Sequence, residues 1–374
     1  MSLFRNGTLS LHLIAIAFGL ICGLFWPEYV SWFSLFSSFF LMLLKTLTLP
    51  VVAVLIVKSF RQTSLKSRSS LTAKTTLIFM LMTVLSCLIC GVALDFLKEG
   101  FMGMAFPKWE SLSQASPLVW VAGVSLAMGS TAALGNDSRS LYFFNLSEAV
   151  NLSLTTIWGW VMKGIPAAIF SFVAVAVSKE GFVGLKTMVV YGGLAALAMI
   201  AFCLCLLGMV FGILKLNFLR FFNALIPSFM SSVVSANIEV LTPVVMDLLM
   251  AHQRFSNRVV SFVLPLGARF NAQGTLIFSA TAFCLLLSKY GLALSLANFL
   301  LILPLVLMVW MMTAGLSRGW ILSLVILLSI FNLPLEGLGI FLVFDGLWCG
   351  IRTMTNVWAT ACATAFLEKS LNAT

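Results

Sequence analysis

The chain has 374 residues, 61% of them hydrophobic and 9% charged, and carries a net charge of +10. Soluble proteins hold about a quarter charged residues, so this composition excludes a soluble globular domain and describes a chain whose bulk lies in a lipid bilayer. The positive balance is accounted for by basic loops at the cytoplasmic face, and no nucleic-acid partner is expected.

The N-terminal stretch MSLFRNGTLSLHLIAIAFGLICGLFW places Arg5 ahead of an apolar run. It lacks a small-residue cleavage site and runs on into another span, so it reads as a retained first helix rather than a signal peptide. Spans are predicted at residues 10–26, 31–57 and 71–97. The stretch KSFRQTSLKSRSSLTAK between the second and third holds Lys58, Arg61, Lys66, Arg68 and Lys74 without an acid. The positive-inside rule puts that loop, and with it the N-terminus, in the cytoplasm. An external loop is predicted at 98–116, a span at 117–134, then a polar loop, then spans at 153–177 and 187–214. Lys215 and Arg220 return the chain to the cytoplasm, where the C-terminus is also expected.

Beyond residue 220 the hydropathy pattern changes. Residues 221–252 are apolar at both ends, with Ser231, Ser232, Ser235, Asn237, Glu239, Thr242 and Pro243 between. Residues 295–335 repeat the design around MTAGLSRGW. Each reads as two short helices meeting at a polar tip, which membrane depth tolerates only where protein or a water-filled cavity supplies hydrogen bonds. Two spans, 257–289 and 337–366, alternate with these hairpins and carry polar residues at mid-length. In the first of them Arg269, Asn271, Gln273 and Thr275 stand between and beside Gly267 and Gly274. A membrane anchor has no use for that group, whereas a helix interrupted around a polar solute does. Paired broken helices of this kind point to a transporter site.

Cys22, Cys87, Cys90, Cys203, Cys205, Cys284, Cys349 and Cys362 all lie in apolar stretches. Cys87 and Cys90 form a lone CxxC in a chain with 2 histidines, so buried small hydrophobes are expected and a metal site is not. His12 and His252 lie near span ends, and neither H-E-x-x-H nor a Ser/His/Asp set is present, so no enzyme is expected. The abundant Met, Phe and Trp (18, 33 and 10) are lipid-facing and core content.

Several segments, in order, resemble the dicarboxylate/amino acid:cation symporters, the family that includes the glutamate transporters. FLMLLKTLTLPVV (40–52) is similar to the family's second helix and VMKGIPAAIF (161–170) to its fifth. FVLPLGARFNAQGT (262–275) stands where the family has LPLG followed by N-M-D-G-T. TAGLSRG (313–319) falls at the second hairpin tip, LPL follows at 333–335, and DGLWCGIRTMTNVWAT (345–360) is similar to the last helix. The resemblance implies an all-α polytopic membrane protein of eight transmembrane helices and two re-entrant hairpins, assembled as a homotrimer. Residues 1–215 would be mainly scaffold and trimerisation helices, the third and sixth packing on the transport unit. Residues 216–374 would be a transport core: hairpin 1 at 221–252, span 7 at 257–289, hairpin 2 at 295–335 and span 8 at 337–366.

Arg352 and Asn356 share one face of the last helix with Thr353 beside them. A buried Arg in a span normally faces a cavity or an anionic partner, and its planar fork suits a carboxylate. The resemblance implies that Arg352 binds a substrate carboxylate, with Thr353 and Asn356 holding the other end. The alternative is a pair with Asp345, two turns earlier on the same face; the two arrangements can belong to different states of one cycle. Cys349 replaces the Asp that meets the amino group in amino-acid-selective members, and a thiol cannot neutralise an ammonium. That favours a dianion without an amino group, the alternative being that Glu239 supplies the charge. Thr313, Ala314, Gly315 and Gly319 form the second tip, where backbone amides can approach an anion. Ser317 and Arg318 depart from the family's Pro and Gly; Arg318 is either a second cation for the substrate or part of the gate's surface. At the first tip Ser235 and Asn237 are candidates for substrate contact, and Glu239 either carries a proton or pairs with Arg269 or Arg318. Asp247 lies nearby.

The family's Na⁺ sites use two Asp residues at the positions of Gln273 and Thr360, with Asn271 and Thr275 alongside. Na⁺ wants carboxylate oxygens, and Arg269 adds a positive charge two residues before Asn271. The expectation is that Arg269 replaces a bound cation as a fixed charge, so that transport is Na⁺-independent, by exchange or by proton coupling; the alternative is an Arg269 that faces an interface. No cofactor is expected. The functional reading is a secondary transporter of a small acidic substrate, a C4-dicarboxylate or an acidic amino acid, in a bacterial inner membrane. An amino-acid symporter of the same family and a non-transporting relative acting as a receptor are the alternatives.

Overall fold

The structure, a computed structural model, describes residues 3–63, 70–98, 124–125, 127–128, 138–212, 214, 217–235, 238–291, 296–313, 316, 318–343 and 345–372. Its regular elements among these residues are helices: α1 (Leu3–Phe25), α2 (Val30–Thr63), α3 (Ser70–Lys98), α4 (Ser138–Lys163), α5 (Ile165–Glu180), α6 (Phe182–Gly212), α7 (Phe218–Ser235), α8 (Ile238–Gln253), α9 (Asn257–Phe270), α10 (Gln273–Lys289), α11 (Leu296–Thr313), α12 (Gly319–Ile330), α13 (Leu338–Leu342) and α14 (Asp345–Asn372). An all-helical chain is what a bilayer demands, because each helix satisfies its own backbone hydrogen bonds. Four helical stretches are long and apolar enough to cross a membrane, Pro27–Val57, Ala73–Gly91, Val189–Val210 and Asn257–Lys289, and a bent pair makes a fifth.

The bent pair corrects the expectation of a polar loop before residue 153. Helix α4 begins at Ser138, and α4 and α5 meet at 47°. The polar residues of α4 stay helical because Ser147, Ser153, Thr155 and Thr156 donate their hydroxyls to carbonyls three or four residues back. Pro166, in the first turn of α5, accounts for the bend, since it has no N–H to offer the preceding turn. The predicted loop at 98–116 and span at 117–134 lie almost wholly outside the described residues.

Helices α1, α2, α4 and α5 pack on one another, and their outer faces carry exposed Phe18, Trp32, Phe39 and Trp160. In the two segments read from the sequence as hairpins, α7 packs on α8 and α11 on α12. The segment 257–289 is α9 and α10, interrupted at Asn271 and Ala272, and the segment 337–366 holds α13 and most of α14. Helices α3 and α6 pack against both α10 and α14. Burial ranks these layers: 83% of the span 7 window lies inside the protein, against 33% for the windows in α3 and α6. Span 7 is therefore the axis around which the C-terminal half is built.

Two contacts hold that half together. Trp358 of α14 lies among Phe221, Phe222 and Phe229 of α7, with ring centroids 5.7, 6.0 and 6.1 Å away, and donates its indole N–H to the Cys203 carbonyl of α6. At the helix breaks, glycine lets spans 7 and 8 meet. A Cβ on Gly274 would lie 2.5 Å from the Arg352 carbonyl oxygen and 2.8 Å from Thr355 Cβ. Because the first of these neighbours is backbone, it cannot swing aside. Gly274→Ala is expected to destabilise the protein by about 1–3 kcal/mol, read as a lowered thermal midpoint in detergent. Gly193→Ala, where nothing lies within 4 Å, should leave the midpoint unchanged.

Candidate functional site

The break in span 7 exposes the N-terminus of α10, and a helix start leaves amide donors without partners. Asn356, reaching from α14, satisfies one: its Oδ1 accepts from the Gly274 N–H at 2.7 Å, while its Nδ2 donates to Thr275 Oγ1 at 3.3 Å. It does from another helix what an N-cap residue does within its own. Gln273 is fully engaged. Its Nε2 donates to Asn271 Oδ1 at 2.8 Å and to Thr83 Oγ1 at 3.0 Å, and its Oε1 accepts from Ser86 Oγ at 2.8 Å. Asn271 turns its Nδ2 toward the Met82 sulfur at 3.7 Å. Thr360 donates to the Asn356 carbonyl at 2.9 Å and lays its methyl against Gly267. The two positions where the sequence lacks family carboxylates thus hold neutral groups that already have hydrogen-bond partners.

A second cluster lies where α14 begins. Arg352 and Asp345 are both buried, and Arg352 Nη2 donates to Asp345 Oδ1 at 2.7 Å. The Trp320 indole N–H donates to the same oxygen at 2.9 Å, and Arg318 Nε lies 3.1 Å from Oδ2. The Arg352 guanidinium sits over Phe278 at 4.5 Å and Trp320 at 5.0 Å, and those two rings meet edge to face. Each desolvated cation–π contact contributes about 2 kcal/mol, which offsets part of the cost of taking the charge out of water. Among the described residues Arg352 Nη1 is buried without a hydrogen-bond partner, and the Cys349 thiol lies against the same guanidinium. The whole is two guanidinium groups around one carboxylate, in apolar surroundings.

Arg318 reaches Asp345 from the tip of hairpin 2. It holds φ 54° and ψ 36°, a left-handed conformation that costs a residue with a Cβ about 1–3 kcal/mol. Its Nη1 also donates to the Met162 carbonyl at 3.0 Å, so one side chain ties the tip to both α14 and α4. Thr313 and Ser323 close the base of the tip with hydroxyls 2.6 Å apart.

Of the residues singled out in the sequence, Arg352, Asp345, Cys349 and Arg318 come together in this second cluster, and Asn271, Gln273, Thr275, Asn356 and Thr360 in the first. Thr353 donates to the Cys349 carbonyl, along its own helix. Arg269 is a correction. Its guanidinium pairs with Glu239 at 3.3 Å and is 61% exposed, so it is not the fixed charge expected beside Gln273, and Glu239 makes the pairing with Arg269 given above as its alternative. The pair is screened and contributes no more than about 1 kcal/mol. Asp247 is exposed on α8. Ala314, Gly315, Ser317 and Asn237, and the side chain of Ser235, lie outside the described residues. A shallow depression of about 430 Å³ is lined by Arg220, Asn223 and His252, and no member of either cluster borders it.

Sequence reasoning missed Thr83, Ser86, Phe278 and Trp320, which look like ordinary span content until helices are paired. It also set His12 aside; the imidazole is 4% exposed, with Nδ1 unpartnered. Truncating Asp345 to Ala would leave buried Arg352 and half-buried Arg318 without their shared counter-ion, so a loss of about 3–5 kcal/mol is expected. Asp345→Ala combined with Arg352→Met should lose less than the sum of the single changes, measured as a double-mutant cycle in thermal unfolding.

The family model of the sodium:dicarboxylate symporter family matches residues 9–118 and 118–370. Among individual relatives, the C4-dicarboxylate transport protein of Bacillus subtilis is 24% identical over 100% of this chain and 95% of its own length. The proton/glutamate-aspartate symporter of the same organism is 24% identical over 96% of this chain and 93% of its own. Excitatory amino acid transporter 3 of Mus musculus is 27% identical over 61% of this chain and 43% of its own. The family is one of multi-pass membrane transporters, not enzymes, and a model that matches nearly the whole chain leaves one conclusion: this protein belongs to the sodium:dicarboxylate symporter family.

Proposed function

We propose that the protein is a secondary transporter that carries a small dianionic organic acid across a bacterial inner membrane by alternating access, without a Na⁺ requirement. The observation that carries this reading is the way Asp345 meets Arg352. A carboxylate oxygen already accepts from the guanidinium at 2.7 Å, Nη1 of that guanidinium has no hydrogen-bond partner among the described residues, and Arg318 stands on the other side of the carboxylate. A substrate carboxylate can take up Nη1 of Arg352 and loosen Asp345 toward Arg318. Two guanidinium groups suit a dicarboxylate, whose two charged ends are matched by fork-shaped donors. The two relatives from Bacillus subtilis are named for a C4-dicarboxylate and for glutamate and aspartate respectively. Cys349 in place of an acid and Glu239 committed to Arg269 favour the dicarboxylate, because neither leaves a counter-charge for an ammonium.

Na⁺ independence is supported by Gln273 and Thr360, neutral and already hydrogen-bonded, where a hard cation would want carboxylate oxygens. Proton coupling then supplies the driving force. The division of labour follows the packing. The helices of residues 1–215 form mainly a scaffold, their exposed apolar faces serving lipid and the contacts of a homotrimer. Residues 216–374, with α3 and α6, form the unit that moves. Both termini lie in the cytoplasm, as the basic loop between α2 and α3 requires.

Uptake of labelled succinate, malate, 2-oxoglutarate, aspartate and glutamate into proteoliposomes tests the reading. The dicarboxylates are expected to accumulate down a proton gradient, at a rate unchanged when Na⁺ is replaced by choline. Uptake that requires Na⁺ would refute the coupling, and uptake of amino acids alone would refute the substrate. Arg352→Lys keeps the charge but loses the planar fork, and is expected to weaken succinate binding roughly tenfold or more, read by isothermal titration. Binding that survives the change unaltered would make Arg352 structural.

A further inference from the structure

His12 lies in α1, where it is buried and its Nδ1 has no hydrogen-bond partner among the described residues. A histidine in that condition inside a membrane helix is costly, and an aliphatic side chain would fill the space without the cost. Gly19 and Gly23 of α1 lie against Phe170 and Ala174 of α5, so His12, two turns before Gly19, comes level with the start of α5, beside the Met162 carbonyl that Arg318 holds; Asp345 and Arg318 are accordingly the charges that act on it. Helix α1 reaches the cluster by packing on α14. Other charges on the elements around α1 stand away from it. Helix α5 offers Lys179 and Glu180 in its last turn, near Gly23 of α1, which is about 16 Å further along the helix than His12. Helix α7 offers Arg220 in its first turn, exposed, and Glu28 follows α1 beyond its end.

We infer that His12 is the proton carrier of the transport cycle: its Nδ1 takes one proton from water when a dianion enters the cluster of Arg318, Asp345 and Arg352, and returns it when the dianion leaves. The inference rests on the reading of this chain as a carrier of dianions and names the group that couples it to protons. The reason is charge balance. Two guanidinium groups and one carboxylate carry one net positive charge, and a dianion turns this into one net negative charge. An uncompensated charge in an apolar site is strongly disfavoured. Imidazole is the side chain that can supply one positive charge near neutral pH, and protonated His12 makes the loaded cluster neutral. A monoanion neutralises the cluster unaided and calls for no proton. The coupling is reciprocal: low pH tightens dianion binding, and a bound dianion tightens proton binding. Because α1 belongs to the layer of α2, α4 and α5, movement of the C-terminal half carries Asp345 and Arg318 away from His12. That separates the proton from its counter-charge and favours its release.

The chain has 2 histidines, and His252 is exposed on α8, so the full-length protein labelled with ¹⁵N in its imidazole rings reads His12 directly, with His252 as internal reference. In nanodiscs at pH 7.5, saturating succinate is expected to convert His12 from neutral imidazole to imidazolium and leave His252 unchanged, while lactate changes neither. In binding titrations between pH 6.5 and 8.5 the wild-type affinity for succinate should fall about tenfold per pH unit above the His12 titration, the slope of one linked proton. His12→Gln should bind succinate with a flat profile. A His12 that stays neutral under saturating succinate overturns the inference, as does a folded His12→Gln protein with the wild-type pH slope, which would put the proton on Asp345. The resonance measurement needs no variant, so a His12→Gln protein that fails to fold does not shield the inference. If succinate, malate and 2-oxoglutarate bind at no pH, the functional reading falls first and this one with it.

Discussion

The carboxylate of Asp345 is the point on which the C-terminal half depends. It sits at the start of α14, under the indole N–H of Trp320 from hairpin 2, with Arg352 on one oxygen and Arg318 on the other. Each of these groups would be intolerable alone at membrane depth, and each is acceptable because the others are there. Helices α14, α12 and α4 are joined through this cluster, the last by the hydrogen bond from Arg318 to the Met162 carbonyl. A buried ion pair of this kind is weak evidence for stability but a strong constraint on arrangement. It fixes where the tip of hairpin 2 lies, which explains why a residue with a Cβ keeps a left-handed backbone at Arg318.

The break in span 7 solves a different problem with neutral groups. A helix interrupted in an apolar setting must find partners for its exposed amides and carbonyls. Here Asn356 caps the new start, and Gln273 is tied by Asn271, Thr83 and Ser86. An amide satisfies its own hydrogen bonds with neighbouring hydroxyls and carries no charge to balance, so the break is held by protein alone. The two clusters therefore divide the work: charge is concentrated near Asp345, and the hinge of span 7 is kept neutral. Gly267 and Gly274 let the two spans approach closely enough for one residue, Asn356, to serve both.

Much of the architecture could be read from the linear pattern. The helical character of the chain and the interruption in the middle of the segment 257–289 both appear in the structure. They are legible because an apolar run interrupted by Gly, Pro and amide residues is a local signal, and helix breaks are local events. The start of α4 at Ser138 was not legible, because a polar helix and a polar loop can share a composition and differ in whether the backbone amides bond four residues back. The direction of Arg269 was not legible either. Its neighbours along the chain suggest the Gln273 cluster, but the side chain leaves the helix toward Glu239 of α8, a neighbour that exists only once α8 and α9 are packed.

The sequence by itself determined that this is a membrane protein of helices with fractured spans, and that Arg352, Asp345 and Asn356 share one helix with fixed spacing. It did so because hydropathy and helical periodicity depend on residues a few positions apart. Only the tertiary structure decided which partner each of them takes: Asp345 with an arginine from a hairpin tip as well as its own, Asn356 with the start of another helix, and His12, more than three hundred positions away in the chain, in the field of that same carboxylate. Charges and hydrogen-bond donors act across a few ångströms of space irrespective of chain separation, so their pairing is set by packing and cannot be read from order alone.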